Sequence, residues 1–343
     1  MFIVVSLAFI TVAVCIAQFV SFNRMYRYVQ NELLQATPSY MPRLSVILPC
    51  KGVDHGFTDN IAKLLEQDYG VDGKASFEVI FAVASQSDAA YPLLAKIAAD
   101  EKRVPTKVIV AGINPCRAQK LNNQLEALAH ISPSSEAIAF VDSDVIARGD
   151  FLRYLVGRLD EPGVGVTTGY RFYIPYKGGA ASMLRSLWNR MSAWELASPA
   201  HAFAWGGAMA VRRQVFDQAK VVEHWDRAAD DDLSLTVAVK DIGLSVKFVP
   251  QCLVATHGDG DWAEVIEWMN RQLILTKVYY PALWRRAIVR AVIMAFWLIC
   301  MFVSSAGYLV TRENIHLWSV IAGLTVFPVE LYFLWQGQTL WER

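Results

Sequence analysis

Apolar residues are distributed along this chain in two ways. At both ends they form long unbroken runs, whereas between Pro42 and Tyr280 they come in short bursts separated by polar segments. The run Met1 to Val20 (MFIVVSLAFITVAVCIAQFV) carries no charge and is long enough to cross a hydrocarbon core, which takes about 20 apolar residues. Ala291 to Val310 is a second such run and Leu317 to Trp335 a third. The expected organisation is a transmembrane anchor over 1–22, a linker over 23–41, a globular domain over 42–280, and transmembrane helices over 287–310 and 317–336.

Inside the central region the bursts predict strands at Leu44 to Leu48, Phe77 to Val83, Lys107 to Val110 and Ala137 to Val141. Helical stretches fall between them at Asn60 to Leu65, Tyr91 to Ala99 and Ala118 to Ala129. Strands alternating with helices at this spacing predict an α/β domain with a mainly parallel sheet. Beyond Asp150 the alternation loosens. Phe151 to Leu159, Ser182 to Leu196 and Leu233 to Asp241 read as helices, Gly165 to Tyr170 and Ser245 to Val249 as strands, and Gly206 to Val211 as a glycine-led apolar stretch.

Charge adds a direction to this plan. Arg24 and Arg27 follow the first run, and Lys277, Arg285, Arg286 and Arg290 precede the second, while the link Thr311 to His316 carries only Arg312 beside Glu313. The positive-inside rule predicts a multi-pass protein with the central domain and C-terminus in the cytoplasm. A cleaved signal peptide would carry its positive residues ahead of the apolar run, so the first run is expected to stay as an anchor. Lys277 to Arg290 (KVYYPALWRRAIVR) mixes aromatics with cations, which suits an interfacial helix and equally an ordinary juxtamembrane stop. Glu330 beside Pro328 is unusual at membrane depth and marks either a buried contact or a segment lying along the surface.

Composition excludes several classes. Hydrophobic residues make up 54% of the chain, more than in an ordinary soluble domain. The five cysteines (Cys15, Cys50, Cys116, Cys252, Cys300) show no CxxC pairing, which argues against a disulfide framework and a zinc site. A formal net charge of zero and the lack of a basic stripe argue against nucleic acid as a partner.

Three groups of carboxylates carry the candidate chemistry. Asp142-Ser143-Asp144 directly follows the strand Ala137 to Val141, and ligands in open α/β sheets bind beyond the carboxyl ends of strands. Two carboxylates one residue apart can reach Mg²⁺ or Mn²⁺, which would bridge the phosphates of a nucleotide sugar; a solvated turn has the same composition. Asp230-Asp231-Asp232 opens the helix near Leu233, where a single Asp would suffice as a cap. Their mutual repulsion raises the proton affinity of one member, as a general base near neutral pH requires. Asp88 is a third carboxylate past a strand, placed to accept hydrogen bonds from a nucleotide or to serve as a loop residue. His257 follows an apparent strand end and is a candidate third metal ligand or a loop histidine.

The segments Leu48-Pro49-Cys50-Lys51-Gly52-Val53-Asp54, Gln67-Asp68-Tyr69, Gly112-Ile113-Asn114-Pro115 and Lys120-Leu121-Asn122-Asn123 resemble the ceramide glucosyltransferases. These are inverting glycosyltransferases of the family 2/21 type with a GT-A fold. The resemblance implies a UDP-sugar donor, expected to be UDP-glucose, a divalent cation, and a lipid acceptor at the bilayer. It implies that Asp88 contacts the uridine, that Asp142 and Asp144 serve the metal and diphosphate, and that Lys120 lies near the nucleotide. Asp231-Asp232 stands where the family has a Glu-Asp pair, with Asp232 as the base. Gly206 falls in a segment (WGGAMAVRR) similar to the acceptor loop. The family's Q/R-x-x-R-W motif reads Arg271-Gln272-Leu273-Ile274-Leu275 here, so only Arg271 is retained as a donor-site candidate. Ceramide, diacylglycerol and hopanoids all remain open as acceptors. Two rival readings are a polysaccharide synthase, for which the membrane segments are few, and an inactive nucleotide-sugar-binding scaffold.

Overall fold

The first apolar run folds as one long helix, α1 (Phe2–Leu34). It continues through much of the predicted linker because Arg24 to Leu34 contains neither glycine nor proline; Pro38 and Pro42 then force extended chain. The structure, a computed structural model, describes residues 2–71 and 74–324. The chain divides into two units, Met1–Asn31 with Pro281–Arg343, and Glu32–Tyr280.

Within Glu32–Tyr280 the elements run β1 (Leu44–Pro49), α2 (Phe57–Leu65), a small hairpin of β2 (Gly70–Val71) and β3 (Lys74–Ala75), β4 (Phe77–Val83), α3 (Ala90–Asp100), β5 (Thr106–Val110), α4 (Gln119–Leu128) and β6 (Ala137–Val141). They continue through α5 (Phe151–Gly157), β7 (Val164–Ile174), α6 (Ala180–Ala193), a 3-10 turn (Trp194–Ala197), β8 (Ala208–Arg212), α7 (Arg213–Gln218), α8 (Val221–Trp225), α9 (Asp232–Asp241), β9 (Ser245–His257) and α10 (Trp262–Tyr279). Seven strands form one sheet in the order β5-β4-β1-β6-β8-β7-β9. All neighbours are parallel except β8, which runs antiparallel to both β6 and β7. The sheet is thus mainly parallel, as the alternation predicts.

Every residue of β1, β4 and β6 is buried, as expected of strands covered on both faces. The period of two sends Val46, Leu48, Val79 and Phe81 to a core shared with α2, α3 and α5. Ile47, Ile80, Ile138 and Phe140 enter a second core with α4, α8 and α9. There the Trp225 ring meets Phe140 edge-on at 5.1 Å, and its Nε1 donates to the Asp231 carbonyl at 3.0 Å. The acidic segment is therefore anchored to the core by its backbone.

Strands β7 and β9 run longer than the sequence suggests. Phe248 pairs with Thr168 and Leu253 with Tyr170, so the chain around Pro250 bulges out of the ladder and pairing resumes to His257. Gly169 makes room for the bulge, since a Cβ there would collide with the Cys252 carbonyl. Proline at position 250 reads as a strand end in sequence; in the structure it sits in an irregularity on the outermost strand, where a missing N–H is tolerated.

A capping box formed by Asp261 and Glu264 starts α10. The predicted interfacial helix Lys277 to Arg290 is not one element: α10 ends at Tyr279, and α11 (Pro281–Thr311) opens on Pro281. Proline suits a first helical position, where its missing N–H has no partner to lose. In the other unit, Trp297 of α11 packs against Ile10 and Val14 of α1 and donates to Thr11 Oγ1 at 3.3 Å. Among the described residues, two helical stretches are long and apolar enough to cross a membrane, Phe9–Leu34 and Pro281–Thr311. The third predicted span begins in α12 (Asn314–Leu324); its remainder, with Glu330, lies outside the described residues.

Candidate active site

Four elements bring their charged ends together at the carboxyl edge of the sheet. The exit of β6 supplies Asp142 and Asp144, the first turn of α4 supplies Lys120, the start of α9 supplies the acidic triplet, and the loop before β8 supplies Gly206. Lys120 is the hub. Its Nζ lies 2.9 Å from Asp142 Oδ1 and 3.0 Å from Asp231 Oδ2, and it donates to the Gly206 carbonyl at 3.0 Å. Gln124, one turn along α4, donates to the same Asp231 oxygen at 2.8 Å.

The three adjacent aspartates do different work. Asp230 Oδ1 accepts from Leu233 N at 2.8 Å and so caps α9. Asp231 faces Lys120. Asp232 Oδ2 accepts from Gly206 N at 2.7 Å, and its Oδ1 accepts from Leu233 N at 2.7 Å. Gly206 sits tightly among them: a Cβ would stand 2.9 Å from both Asp231 carboxylate oxygens and from Lys120 Nζ. The close approach that its missing side chain allows is made by these protein groups.

Burial is the main cause of the perturbed ionisation here. It pushes the Asp232 carboxyl well above the usual carboxylate range, helped by the neighbouring charges of Asp230 and Asp231. Asp230 is raised for the same first reason. Burial also raises Asp142, against the pull of Lys120 and Arg171. For Lys120, burial favours the neutral amine, but Asp142, Asp231 and Asp232 together outweigh it and hold the ammonium more firmly than usual. Burial and the charges of Asp88 and Asp142 push the Cys50 thiol up to about 12, so it stays protonated beside the site.

The resemblance motifs around this cluster are joined mainly by hydrogen bonds to backbone groups. Asp88 Oδ1 accepts from Gly52 N at 2.8 Å and Ala90 N at 2.9 Å, tying the loop after β1 to the start of α3. Gly52 has φ +67, a left-handed conformation that favours glycine. Asn122 donates to the carbonyls of Ala111 and Gly112, and Asn123 donates to that of Ala82. Gln67 bridges Lys63, Arg148 and Leu152, and Tyr69 donates to Pro42. These are scaffold bonds.

Besides Asp88, two predicted residues lie apart from the cluster's bonds. His257 is exposed at the end of β9, its ring stacked on Tyr176 at 5.6 Å, and no group of three or more His, Cys, Asp or Glu suited to a metal forms among the described residues. Arg271 stands exposed on α10. In exchange the structure adds Gln124, Trp205 and Arg171. Arg171 Nη2 lies 2.7 Å from Asp144 Oδ1 and 3.8 Å from Asp142 Oδ2, with its guanidinium 5.0 Å from the centre of the Trp205 ring. A cation inside the apolar run of β7 is the sequence signal that marks it.

Comparison with known proteins agrees with this architecture. The mannosyltransferase PcManGT from Pyrobaculum calidifontis, solved in complex with GDP-Man and Mn²⁺, is 16% identical and superposes with a TM-score of 0.56, over 96% of this chain and 99% of that one. A mycobacterial protein matches over 69% of this chain and 73% of its own, at 20% identity and a TM-score of 0.37. The profile of glycosyl transferase family 21 matches residues 4–334. Spanning nearly the whole sequence, that match shows that the chain belongs to glycosyl transferase family 21, the ceramide glucosyltransferase family, and is a glycosyltransferase with a GT-A-like fold.

Proposed function

We propose that this protein transfers a hexose, with UDP-glucose as the expected donor, to the hydroxyl of a membrane lipid, inverting the anomeric configuration in a single displacement. The observation that carries this reading is the Lys120 hub, which holds the strand-exit carboxylate Asp142 and the helix-start carboxylate Asp231 on one ammonium. A leaving-group site and a base site are thereby adjacent.

Asp142 and Asp144 suit a hard cation, since Mg²⁺ and Mn²⁺ are commonly held by one or two carboxylates together with substrate phosphates. Bound there, the cation would supply charge stabilisation for the departing diphosphate. Lys120 adds a fixed positive charge next to the same phosphates. Asp88, anchored through one oxygen, keeps the other for the nucleoside. Asp232 accepts the acceptor's proton, for which its raised proton affinity suits it. A second assignment, with Asp231 as the base, is favoured by its carboxylate lying on the Lys120 and Asp142 side of Gly206. The lipid acceptor and a cytoplasm-facing domain draw support from the family and from the two apolar helices with their flanking cations.

The test is to incubate membranes containing the protein with labelled UDP-glucose and, separately, labelled GDP-mannose, plus extracted lipids. Label in a lipid from UDP-glucose supports the proposal. Label only from GDP-mannose, or in a polymer, or no incorporation despite nucleotide binding, each rejects it.

A further inference from the structure

Two cations face the Asp142-Ser143-Asp144 pair, and they are held differently. Lys120 has three acceptors within 3.0 Å, so each of its three N–H donors is matched. Arg171 makes one close contact, 2.7 Å to Asp144 Oδ1, and a looser one of 3.8 Å to Asp142 Oδ2. Its Nε is buried with no hydrogen-bond partner among the described residues. The side chain is only 14% exposed, and its guanidinium is stacked on Trp205. That ring lies close against Gly207, where a Cβ would collide with it, and the Trp205 backbone N–H donates to Thr168 Oγ1 at 2.8 Å. Arg171 therefore occupies the space that a cation shared by the two carboxylates would take, with donor capacity to spare.

We propose that Arg171 is the built-in counter-cation of the Asp142–Asp144 pair, which a divalent cation must displace and which a diphosphate then receives. The proposal rests on the reading of this pair as the cation site. A divalent ion between these carboxylates meets the guanidinium at close range, and like charges repel strongly in a site screened from water. An anionic diphosphate offers the planar fork a better partner than the carboxylate it leaves. Cation and diphosphate thus favour one another through one side chain, and such coupling is reciprocal. In the absence of nucleotide, Arg171 keeps affinity for the bare metal low.

The experiment titrates Mn²⁺ alone into the full-length protein in detergent, following the spin-resonance signal of free Mn²⁺, and measures UDP binding without metal by calorimetry. Arg171→Gln should bind Mn²⁺ about tenfold more tightly than wild type, within the 5–150-fold range usual for such couplings. It should bind metal-free UDP more weakly. If Arg171→Gln does not fold, Arg171→Met, which removes the charge and keeps an apolar stem against Trp205, answers the same question with the same expected gain. Mn²⁺ affinity equal to or below wild type in whichever variant folds overturns the proposal. Asp144→Asn separates the two layers of the argument: if it leaves Mn²⁺ binding intact, the cation-site reading fails and this inference with it. If it abolishes binding while Arg171→Gln brings no gain, only the coupling through Arg171 fails.

Discussion

The two sides of the site are built on different physics. On the β1–β4 side, Gly52, Asp88, Asn122 and Asn123 are held by hydrogen bonds to backbone N–H and C=O groups, with the Asp88 carboxylate as the charged partner among the four. On the β6–β8–β7 side, Lys120 and Arg171 balance Asp142, Asp144 and Asp231 by ion pairing, with Asp232 pressed beside them. The first, mostly neutral side is held by its bonds to the backbone. The charged side is balanced only for one set of protonation states and occupants, so it is where chemistry can be switched on. Substitutions on the charged side should alter turnover first, and those on the neutral side should alter stability first.

The hardest test is Asp232→Asn. Removing a general base should lower kcat by about 10²–10⁴-fold while UDP affinity, read by calorimetry, changes little. A larger kcat loss in Asp231→Asn than in Asp232→Asn would transfer the base to Asp231. Gly206→Ala comes next: its Cβ would press on Asp231 and Lys120 at 2.9 Å, parting the hub. Most transfer activity should vanish, with a stability loss of about 1–3 kcal/mol by denaturant titration, as overpacking typically costs.

A pH comparison sharpens the contrast further. The folded protein holds a proton on Asp232 more tightly than the unfolded chain does, so ionising that carboxyl costs stability. The cost is absent below the ordinary carboxylate pKa of about 4 and grows as pH rises toward the folded value. Asparagine cannot ionise. The Tm of Asp232→Asn relative to wild type should therefore climb from pH about 4 toward neutrality, while wild-type turnover climbs over the same range as the base ionises. A flat Tm difference would show that the carboxyl is not raised.

Smaller effects belong to the neutral side and to the surface. Asn123→Ala removes one of two donors to the buried Ala82 carbonyl, which keeps the Cys50 N–H, and should cost about 0.5–1.5 kcal/mol with kcat little changed. A kcat loss without a Tm shift would break the proposed division. Glu223→Gln, removing the exposed 3.7 Å pair with Lys220, should stay within about 0.5 kcal/mol and leave turnover unchanged.

The sequence discloses these two sides unequally. Strands β1, β4 and β6 are readable because strands covered on both faces appear as unbroken apolar runs, and the position of Asp142 and Asp144 follows from the end of β6. The lengths of β7 and β9 are not readable, because Pro250 and Arg171 look like interruptions when the ladder that tolerates them is out of view. The acidic triplet shows why a motif underdetermines roles: capping and charge are alternatives for the same run in sequence, yet in the fold Asp230 caps while Asp231 binds Lys120. Gln124 stood next to the readable Lys120-Leu121-Asn122-Asn123 run, but only the α4 turn aims it at Asp231. The Arg171–Trp205 stack joins residues on separate segments and has no local signature.

The bulge at Pro250 also guards the edge of the sheet against other chains. Strand β9 closes one end of the seven-stranded sheet, so its outer face of N–H and C=O groups is a template for the addition of another polypeptide. A proline and a broken register in the middle of that edge deny an incoming strand a continuous ladder. At the opposite end, β5 is only five residues long and carries Lys107. Both margins of the sheet are thereby poor seeds for aggregation.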